Sequence, residues 1–232
     1  PKCLVDLGQG YSALTWQLTQ LEKAGITEAV IVTGFQADKV DAEVASYDGS
    51  MTVRTLFNPF FKVADNLSSV WVARHETNED FLIINGDTMF VSPVPAKLLQ
   101  STHNITLTIS RKDGYDSDDM KVSYTEDTQT LHRVGKKLDA SIVNGESIGM
   151  MMFKDKGRDL FKATVDQTIR GEDGLKVWYL SVLDTMAKAG QVNTCRVESG
   201  QWCEIDFPED HKAACRFVEK WTGQNTDSMT AS

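Results

Sequence analysis

Phe81-Leu-Ile-Ile-Asn-Gly-Asp87-Thr-Met-Phe90 is a run of four apolar residues that ends in Asn-Gly-Asp and then becomes apolar again. Four apolar residues without polar alternation predict a strand that is buried on both faces, as in a parallel sheet. In open α/β sheets, ligands bind at the carboxyl ends of such strands, where Asp87 stands. Asn-Gly is also a strong hairpin signal, so Asp87 is either a turn residue or a metal or phosphate ligand.

The segments on both sides of this strand alternate between helix and strand patterns. Before it, amphipathic helices predicted near residues 11–21, 37–44 and 66–73 alternate with strands at 29–32 and 51–56. After it come strands at 105–109, 150–153 and 192–197 and a last helix that begins near Pro208. This alternation predicts βαβ units and a largely parallel α/β sheet. A strand that is fed by a crossover helix favours the ligand interpretation of Asp87 over the hairpin.

The composition is that of an ordinary globular protein of 232 residues, with 41% apolar residues and a net charge of −9. This charge argues against nucleic acid as a partner, because nucleic-acid binding needs a basic surface. No apolar run approaches the ~18 residues of a membrane span, and no signal peptide opens the sequence. The four cysteines lack Cys-x-x-Cys spacing, which favours the reducing cytoplasm. We expect one domain at residues 1–222 and a flexible tail at 223–232.

Three acidic groups could carry chemistry. They are Asp87, the cluster Asp116, Asp118 and Asp119, and the pair Glu204 and Asp206. Two aspartates at different strand ends can hold one Mg²⁺, which prefers carboxylates, water and substrate phosphate oxygens. Two other interpretations stay open: Asp206 could be a carboxylate that accepts from helix N-terminal amides, and the cluster at 116–119 could be a solvated loop.

Basic and aromatic residues give weaker indications. The lysines that could meet a phosphate are Lys2, Lys121, Lys136 and Lys137, and the aromatic group comprises Trp178, Tyr179 and Trp202. Tyr179 also fits the buried stripe of a helix, whereas no stripe explains Trp202 beside Glu204. The sequence contains no Gly-x-Ser-x-Gly elbow, no intact Gly-x-Gly-x-x-Gly and no Walker loop.

Several of these segments, in this order, resemble the nucleotidyltransferases that act on sugar 1-phosphates and phosphocholine. They are Pro1-Lys2-Cys-Leu-Val, Ile31-Val-Thr-Gly34-Phe, Asp65-Asn66-Leu-Ser-Ser69, Asn85-Gly-Asp87 and Trp202-Cys-Glu204-Ile-Asp206. Asp118-Asp-Met-Lys121, Gly135-Lys-Lys137, Gly145-Glu-Ser-Ile-Gly149 and Trp178-Tyr179 resemble the cytidylyltransferase branch. The resemblance runs from residue 1 to about residue 220.

This resemblance implies a Rossmann-like three-layer sandwich with a mostly parallel mixed sheet. It implies Mg²⁺-dependent transfer of a nucleotide from CTP to a small phosphorylated or phosphonate acceptor, with release of pyrophosphate. By resemblance, Lys2, Asp87 and Asp206 are catalytic, and the two aspartates hold the metal. Lys2, Gly34, Asn66, Ser69 and Asp87 bind the nucleotide, and Lys121, Trp178, Tyr179 and Glu204 line the acceptor pocket. The family's first strand and Gly-x-Gly-x-Arg loop would precede Pro1, and we expect them in a part of the protein outside this sequence.

Phosphocholine is the acceptor that the residues favour, because a trimethylammonium group prefers aromatic faces and acidic neighbours. Trp178, Tyr179, Trp202 and Glu204 could supply both, and Asp116 could instead bind a primary amine. Aminoethylphosphonate, inositol phosphate and a sugar 1-phosphate remain alternative acceptors. A non-catalytic nucleotide-binding subunit is the alternative from another class, and a homodimer is left open.

Overall fold

A computed structural model describes residues 1–229, with side chains described through residue 223. The helices are α1 (Ala13–Lys23), α2 (Ala37–Ala45), α3 (Leu67–Val72), α4 (Pro93–Leu99), α5 (Asp155–Ile169), α6 (Tyr179–Lys188) and α7 (Pro208–Met229). The strands are β1 (Glu28–Thr33), β2 (Thr52–Phe57), β3 (Phe81–Ile84), β4 (Thr88–Phe90), β5 (Ile105–Ser110), β6 (Lys121–Thr125), β7 (Thr130–Gly135), β8 (Gly145–Phe153), β9 (Asn193–Arg196) and β10 (Trp202–Glu204).

The predicted α/β fold with a mixed sheet is confirmed, but the sheet is not mostly parallel as the sequence predicted. β1 and β2 form a parallel pair, β4 and β10 form an antiparallel pair, and the other strands follow the order β3-β8-β5-β9-β7-β6. Within this six-stranded sheet, only β5 and β9 are parallel. The prediction was wrong because β8 inserts between β3 and β5 and runs antiparallel to both. Strand direction depends on this insertion, which the alternation of helices and strands does not reveal.

The six-stranded sheet also curls back on itself. β6 pairs with β8 in addition to β7, so β8, β5, β9, β7 and β6 close a ring of strands. Closure removes the free edge that β6 would otherwise present to solvent.

The longest strand, β8, separates two hydrophobic cores. Ile148, Met150 and Met152 belong to one core, which also receives α1 and α7. Met151 and Phe153 belong to the other, which receives α5 and α6. Because successive side chains of a strand point to opposite faces, this division places packed layers on both sides of the sheet.

The stretch from Phe81 to Phe90 does not form a hairpin. β3 ends at Ile84 and pairs with β8, whereas β4 pairs with β10 on the other side of the Asn-Gly-Asp link. The hairpin interpretation of Asn85-Gly86 is therefore excluded.

The last helix extends past the point where the sequence predicted a flexible tail. α7 continues to Met229, since adding a residue to an existing helix costs far less than starting one. The rest of that tail, residues 230–232, lies outside the described residues. Among residues 1–229, no helix combines the length and the apolar character that crossing a membrane requires.

Candidate active site

Asp87 lies in the link between β3 and β4, next to the end of β10. The Ile205 amide donates to the Asp87 carbonyl at 3.0 Å, and Glu204 is opposite Thr88 in the pairing of β10 with β4. These two connections bring the Glu204-Ile-Asp206 segment beside Asp87, although more than a hundred residues separate them in the sequence. The carboxylate oxygens of Asp87, Glu204 and Asp206 lie within 4.8 Å of one another.

The Asp206 carboxylate does not accept the amides at the start of α7. Asp210, in the first turn of α7, accepts through its Oδ2 from the amides of Asp206 and Phe207, which precede the helix, at 3.0 and 2.8 Å. Asp206 Oδ1 instead accepts from Lys2 Nζ at 2.5 Å. The contact with Lys2 directs the Asp206 carboxylate to the cluster, and its role as a metal ligand stays a prediction.

Lys2 lies between the two aspartates that the sequence paired. Its Nζ is 2.5 Å from Asp206 Oδ1 and 3.7 Å from Asp87 Oδ2. Burial lowers the pKa of Lys2, but the hydrogen bond and the charges of Asp206 and Asp87 outweigh it, so the net pKa is raised. The ammonium group is fully charged at neutral pH and can meet a phosphate oxygen.

The cluster carries more negative than positive charge. Burial and then the neighbouring Asp206 raise the pKa of Asp87, against the opposing effect of Lys2. Glu204 is exposed to solvent, but the surrounding protein atoms and the charges of Asp87 and Asp206 raise the pKa of its carboxyl group to about 7. Three carboxylates beside one ammonium group leave an excess of negative charge, which a bound cation would neutralise.

The donors of this cluster fit a hard divalent cation. Mg²⁺ takes carboxylate oxygens from one or two protein residues and completes its shell with water and substrate phosphate. Asp87 and Asp206 supply such oxygens from two different chain segments, and Glu204 adds a third within the same 4.8 Å. When bound, the metal would neutralise phosphate charge and polarise a phosphoryl oxygen.

The residues predicted to bind the nucleotide lie after β1 and at the start of α3. A side chain at Gly34 would come within 2.5 Å of the Phe61 Cβ, so the absence of one permits this packing. Asn66 Oδ1 accepts from the Tyr179 amide at 2.9 Å, and Ser69 Oγ accepts from Asn58 Nδ2 at 3.0 Å.

Lys121 and Asp116 stabilise the loop between β5 and β6. Lys121 is buried, and its Nζ donates to the carbonyls of Asp116 and Lys136, the latter at 3.1 Å. The Asp116 carboxylate is exposed, and its amide donates to Asp119 Oδ2 at 2.5 Å. The structure therefore uses the Lys121 ammonium for loop carbonyls, and it does not bring either residue into the carboxylate cluster.

The three aromatic residues occupy different environments. Trp178 is 39% exposed, and the Lys136 ammonium lies 4.7 Å from its ring centroid. Tyr179 is buried, and its hydroxyl donates to Asn85 Oδ1 at 2.7 Å. Burial and the charges of Asp87 and Glu204 raise the pKa of Tyr179, which places its hydroxyl near the cluster. Trp202 is half-buried against the core that receives α1.

Sequence reasoning missed the roles of two residues around the cluster. Gln17 is buried in α1 and donates to the backbone on both sides of Asp87. Glu146 is buried in β8, forms an ion pair with Lys112 at 2.9 Å, and its charge contributes to the raised pKa of Glu204. Gln17 could have been found, because it is a polar residue within the apolar stripe of Leu14, Leu18 and Leu21.

No family model matches the sequence, and no curated protein matches it. Solved structures do match. The inositol-1-phosphate CTP transferase from T. maritima has 19% identity and a TM-score of 0.73 over 95% of this chain and 86% of its own. The CTP:phosphocholine cytidylyltransferase from Streptococcus pneumoniae has 17% identity and a TM-score of 0.70 over 94% and 90%. An apo UDP-glucose pyrophosphorylase reaches a TM-score of 0.77 at 11% identity over 96% and 91%.

These structures share one architecture across nearly the whole chain. Their common feature is the transfer of a nucleotide, and the sequence motifs quoted above resemble the same family. The chain therefore has the fold of the nucleotidyltransferases.

Proposed function

We propose that the protein transfers a cytidylyl group from CTP to the phosphate of phosphocholine and releases pyrophosphate. The observation that carries this proposal is the contact of Lys2 with Asp87 and Asp206 beside β3, in a chain with a nucleotidyltransferase fold. Two of the similar structures are an inositol-1-phosphate CTP transferase and a CTP:phosphocholine cytidylyltransferase.

The reaction would be an in-line displacement at the α-phosphorus of CTP. A phosphate oxygen of the acceptor forms the new P–O bond, and the bond between the α-phosphorus and the bridging oxygen breaks, so that pyrophosphate leaves with both electrons. Asp87 and Asp206 would hold Mg²⁺, which offsets the phosphate charges. Lys2 would stabilise charge on the same phosphates. Catalysis then rests on positioning and charge neutralisation, since a phosphate dianion needs no strong base.

The charge around the cluster supports a cationic acceptor. Glu204 and Glu146 both have raised pKa values because burial disfavours their charged forms, and a cation bound nearby would stabilise both. The Lys136 ammonium lies 4.7 Å from the centroid of the Trp178 ring, so this ring already makes a cation–π contact. A trimethylammonium group gains ~0.5–2 kcal/mol from such a contact. The hydroxyls of inositol phosphate or a sugar phosphate could donate hydrogen bonds to these carboxylates, but they carry no charge that offsets theirs.

A panel of acceptors tests the proposal. Protein expressed from its full-length gene would be incubated with CTP, Mg²⁺ and phosphocholine, aminoethylphosphonate, inositol 1-phosphate or glucose 1-phosphate, with pyrophosphate release as the measurement. We expect the highest kcat/KM with phosphocholine. Turnover of another acceptor without turnover of phosphocholine would refute phosphocholine as the acceptor. CTP binding without turnover of any acceptor would favour a non-catalytic subunit.

A cytoplasmic location fits this activity. All four cysteines are free, as is usual for proteins of a reducing compartment.

A further inference from the structure

Gln17 binds the backbone on both sides of Asp87. Its Nε2 donates to the Asn85 carbonyl at 2.9 Å and to the Thr88 carbonyl at 2.8 Å. Both hydrogens of one side-chain amide are thus used on two carbonyls that flank Asp87 in the sequence. The Gln17 side chain is buried, so water cannot replace these hydrogen bonds.

Tyr179 holds the link at residues 85–87 from the core that receives α6, whereas Gln17 holds it from the core that receives α1. Its hydroxyl donates to Asn85 Oδ1 at 2.7 Å, and the Asn85 amide donates to the Gly149 carbonyl at 2.9 Å. Asn85 is therefore held through its amide, its carbonyl and its side chain, by residues from β8, α1 and α6.

The link that carries Asp87 needs such support because it leaves the sheet. β3 has ended and β4 has not begun, so residues 85–87 lie between two ladders and are fixed by single backbone hydrogen bonds, among them the one from the Ile205 amide to the Asp87 carbonyl at 3.0 Å. A carboxylate there is repelled by Asp206 and Glu204, which would push a loosely held link away from the cluster. Gln17 and the Tyr179–Asn85 hydrogen bond oppose that displacement without touching the carboxylate.

We propose that Gln17 and Tyr179 are positioning residues, which hold the Asp87 carboxylate at the distance from Asp206 that a shared divalent cation requires. The inference rests on the proposed function, because it takes Asp87 and Asp206 as metal ligands. Outer partners of this kind typically change metal affinity by ~10–100-fold when removed.

The test compares Gln17→Met with Gln20→Met in the protein expressed from its full-length gene. The two glutamines lie on the same helix and are both buried, but Gln20 Oε1 accepts only from the Ser92 amide, at 2.9 Å, beyond β4. Mn²⁺ would be titrated into each protein by calorimetry, and thermal unfolding would be recorded in EDTA. We expect Gln17→Met to weaken Mn²⁺ binding ~10–100-fold. Gln20→Met should lower the unfolding temperature to a similar extent and leave Mn²⁺ affinity near that of the wild type.

A second pair of variants keeps the test valid if Gln17→Met does not fold. Tyr179→Phe removes only the hydroxyl that donates to Asn85, and Tyr47→Phe removes a hydroxyl that donates to Glu22 at 2.6 Å, outside the cluster. Tyr179→Phe should weaken Mn²⁺ binding several-fold, whereas Tyr47→Phe should not. Equal Mn²⁺ affinity within both pairs would overturn the inference. A wild-type protein that binds no Mn²⁺ would also overturn the inference, whereas the absence of pyrophosphate release with CTP and every acceptor would refute the proposed function.

Discussion

Lys2 provides the sharpest separation between catalysis and stability in this molecule. The change to make is Lys2→Met, which keeps the apolar stem of the side chain and removes the ammonium group. That group is 2.5 Å from Asp206 Oδ1 and 3.7 Å from Asp87 Oδ2, and the Lys2 side chain is 49% exposed. Half-exposed ion pairs of this kind contribute about 0–1 kcal/mol, because solvent screens them. Loss of the ammonium group leaves the three carboxylates without a neighbouring cation. The affinity of the substrate-free protein for a metal ion should therefore be no weaker than in the wild type.

The expected effect on turnover is far larger. An ammonium group aimed at phosphate charge in the transition state belongs to the electrostatic groups whose removal costs on the order of 10²–10³ in kcat. The unfolding temperature should fall by no more than about 2–4 °C, which corresponds to about 1 kcal/mol in a chain of this size. Pyrophosphate release measures the first quantity and calorimetric unfolding the second.

Lys188→Met is the matched control, because Lys188 is 55% exposed and pairs with Asp184 at 2.8 Å, on α6 rather than in the cluster. It should change stability as little as Lys2→Met does and leave turnover intact. Near-normal turnover of Lys2→Met, or equal losses in the two variants, would contradict the role of Lys2 in catalysis.

The remaining predictions concern the metal, the link and the acceptor. Asp206→Asn removes one carboxylate charge and should lower kcat on the order of 10²–10³ without lowering stability, measured by pyrophosphate release and by unfolding. EDTA should abolish turnover, added Mg²⁺ should restore it, and an unchanged far-ultraviolet circular dichroism spectrum would show that the fold persists. Gly149→Ala should cost both stability and activity, because the new Cβ would lie 2.4 Å from Asn85 Nδ2, whereas Gly190→Ala meets open space at a similar φ (+69° against +73°) and should cost stability alone. Glu146→Gln should raise the KM for phosphocholine and leave the KM for CTP unchanged, since it removes a negative charge next to Glu204.

The proximity of Lys2, Asp87 and Asp206 was more predictable than the sheet, and their roles stay predictions. Local signals located Asp87 at the end of a strand and Asp206 after another, and the family motifs joined them with Lys2. The prediction that the first of these strands is buried on both faces was wrong, because β3 is half-buried at the edge of the six-stranded sheet and pairs antiparallel with β8. The structure brings these three residues into contact, although residue 2 and residue 206 lie near opposite ends of the chain. No local pattern encodes that proximity, which depends on the pairing of β10 with β4.

Residues whose partners are backbone atoms were the ones that the sequence could not interpret. Lys121 is of a residue type that commonly binds phosphate, but its ammonium group donates hydrogen bonds to loop carbonyls. Gln17 is a polar residue in an otherwise apolar helix face. It donates hydrogen bonds to two carbonyls of the link between β3 and β4, where the strand pairing is interrupted. Such roles follow from the path of the main chain, and a sequence pattern shows side chains rather than that path.

Lys2 and Asp206, which are in contact, lie 204 positions apart in the chain, so they are synthesised at different times. Lys2 and Asp87 leave the ribosome well before β10, and domains emerge from their N-terminal side first. A nascent chain that ends before Trp202 holds one of the three carboxylates and has no strand to pair with β4. The three carboxylates therefore come together only after β10 has been made and has paired with β4, so a nascent chain that ends before Trp202 lacks the proposed metal site.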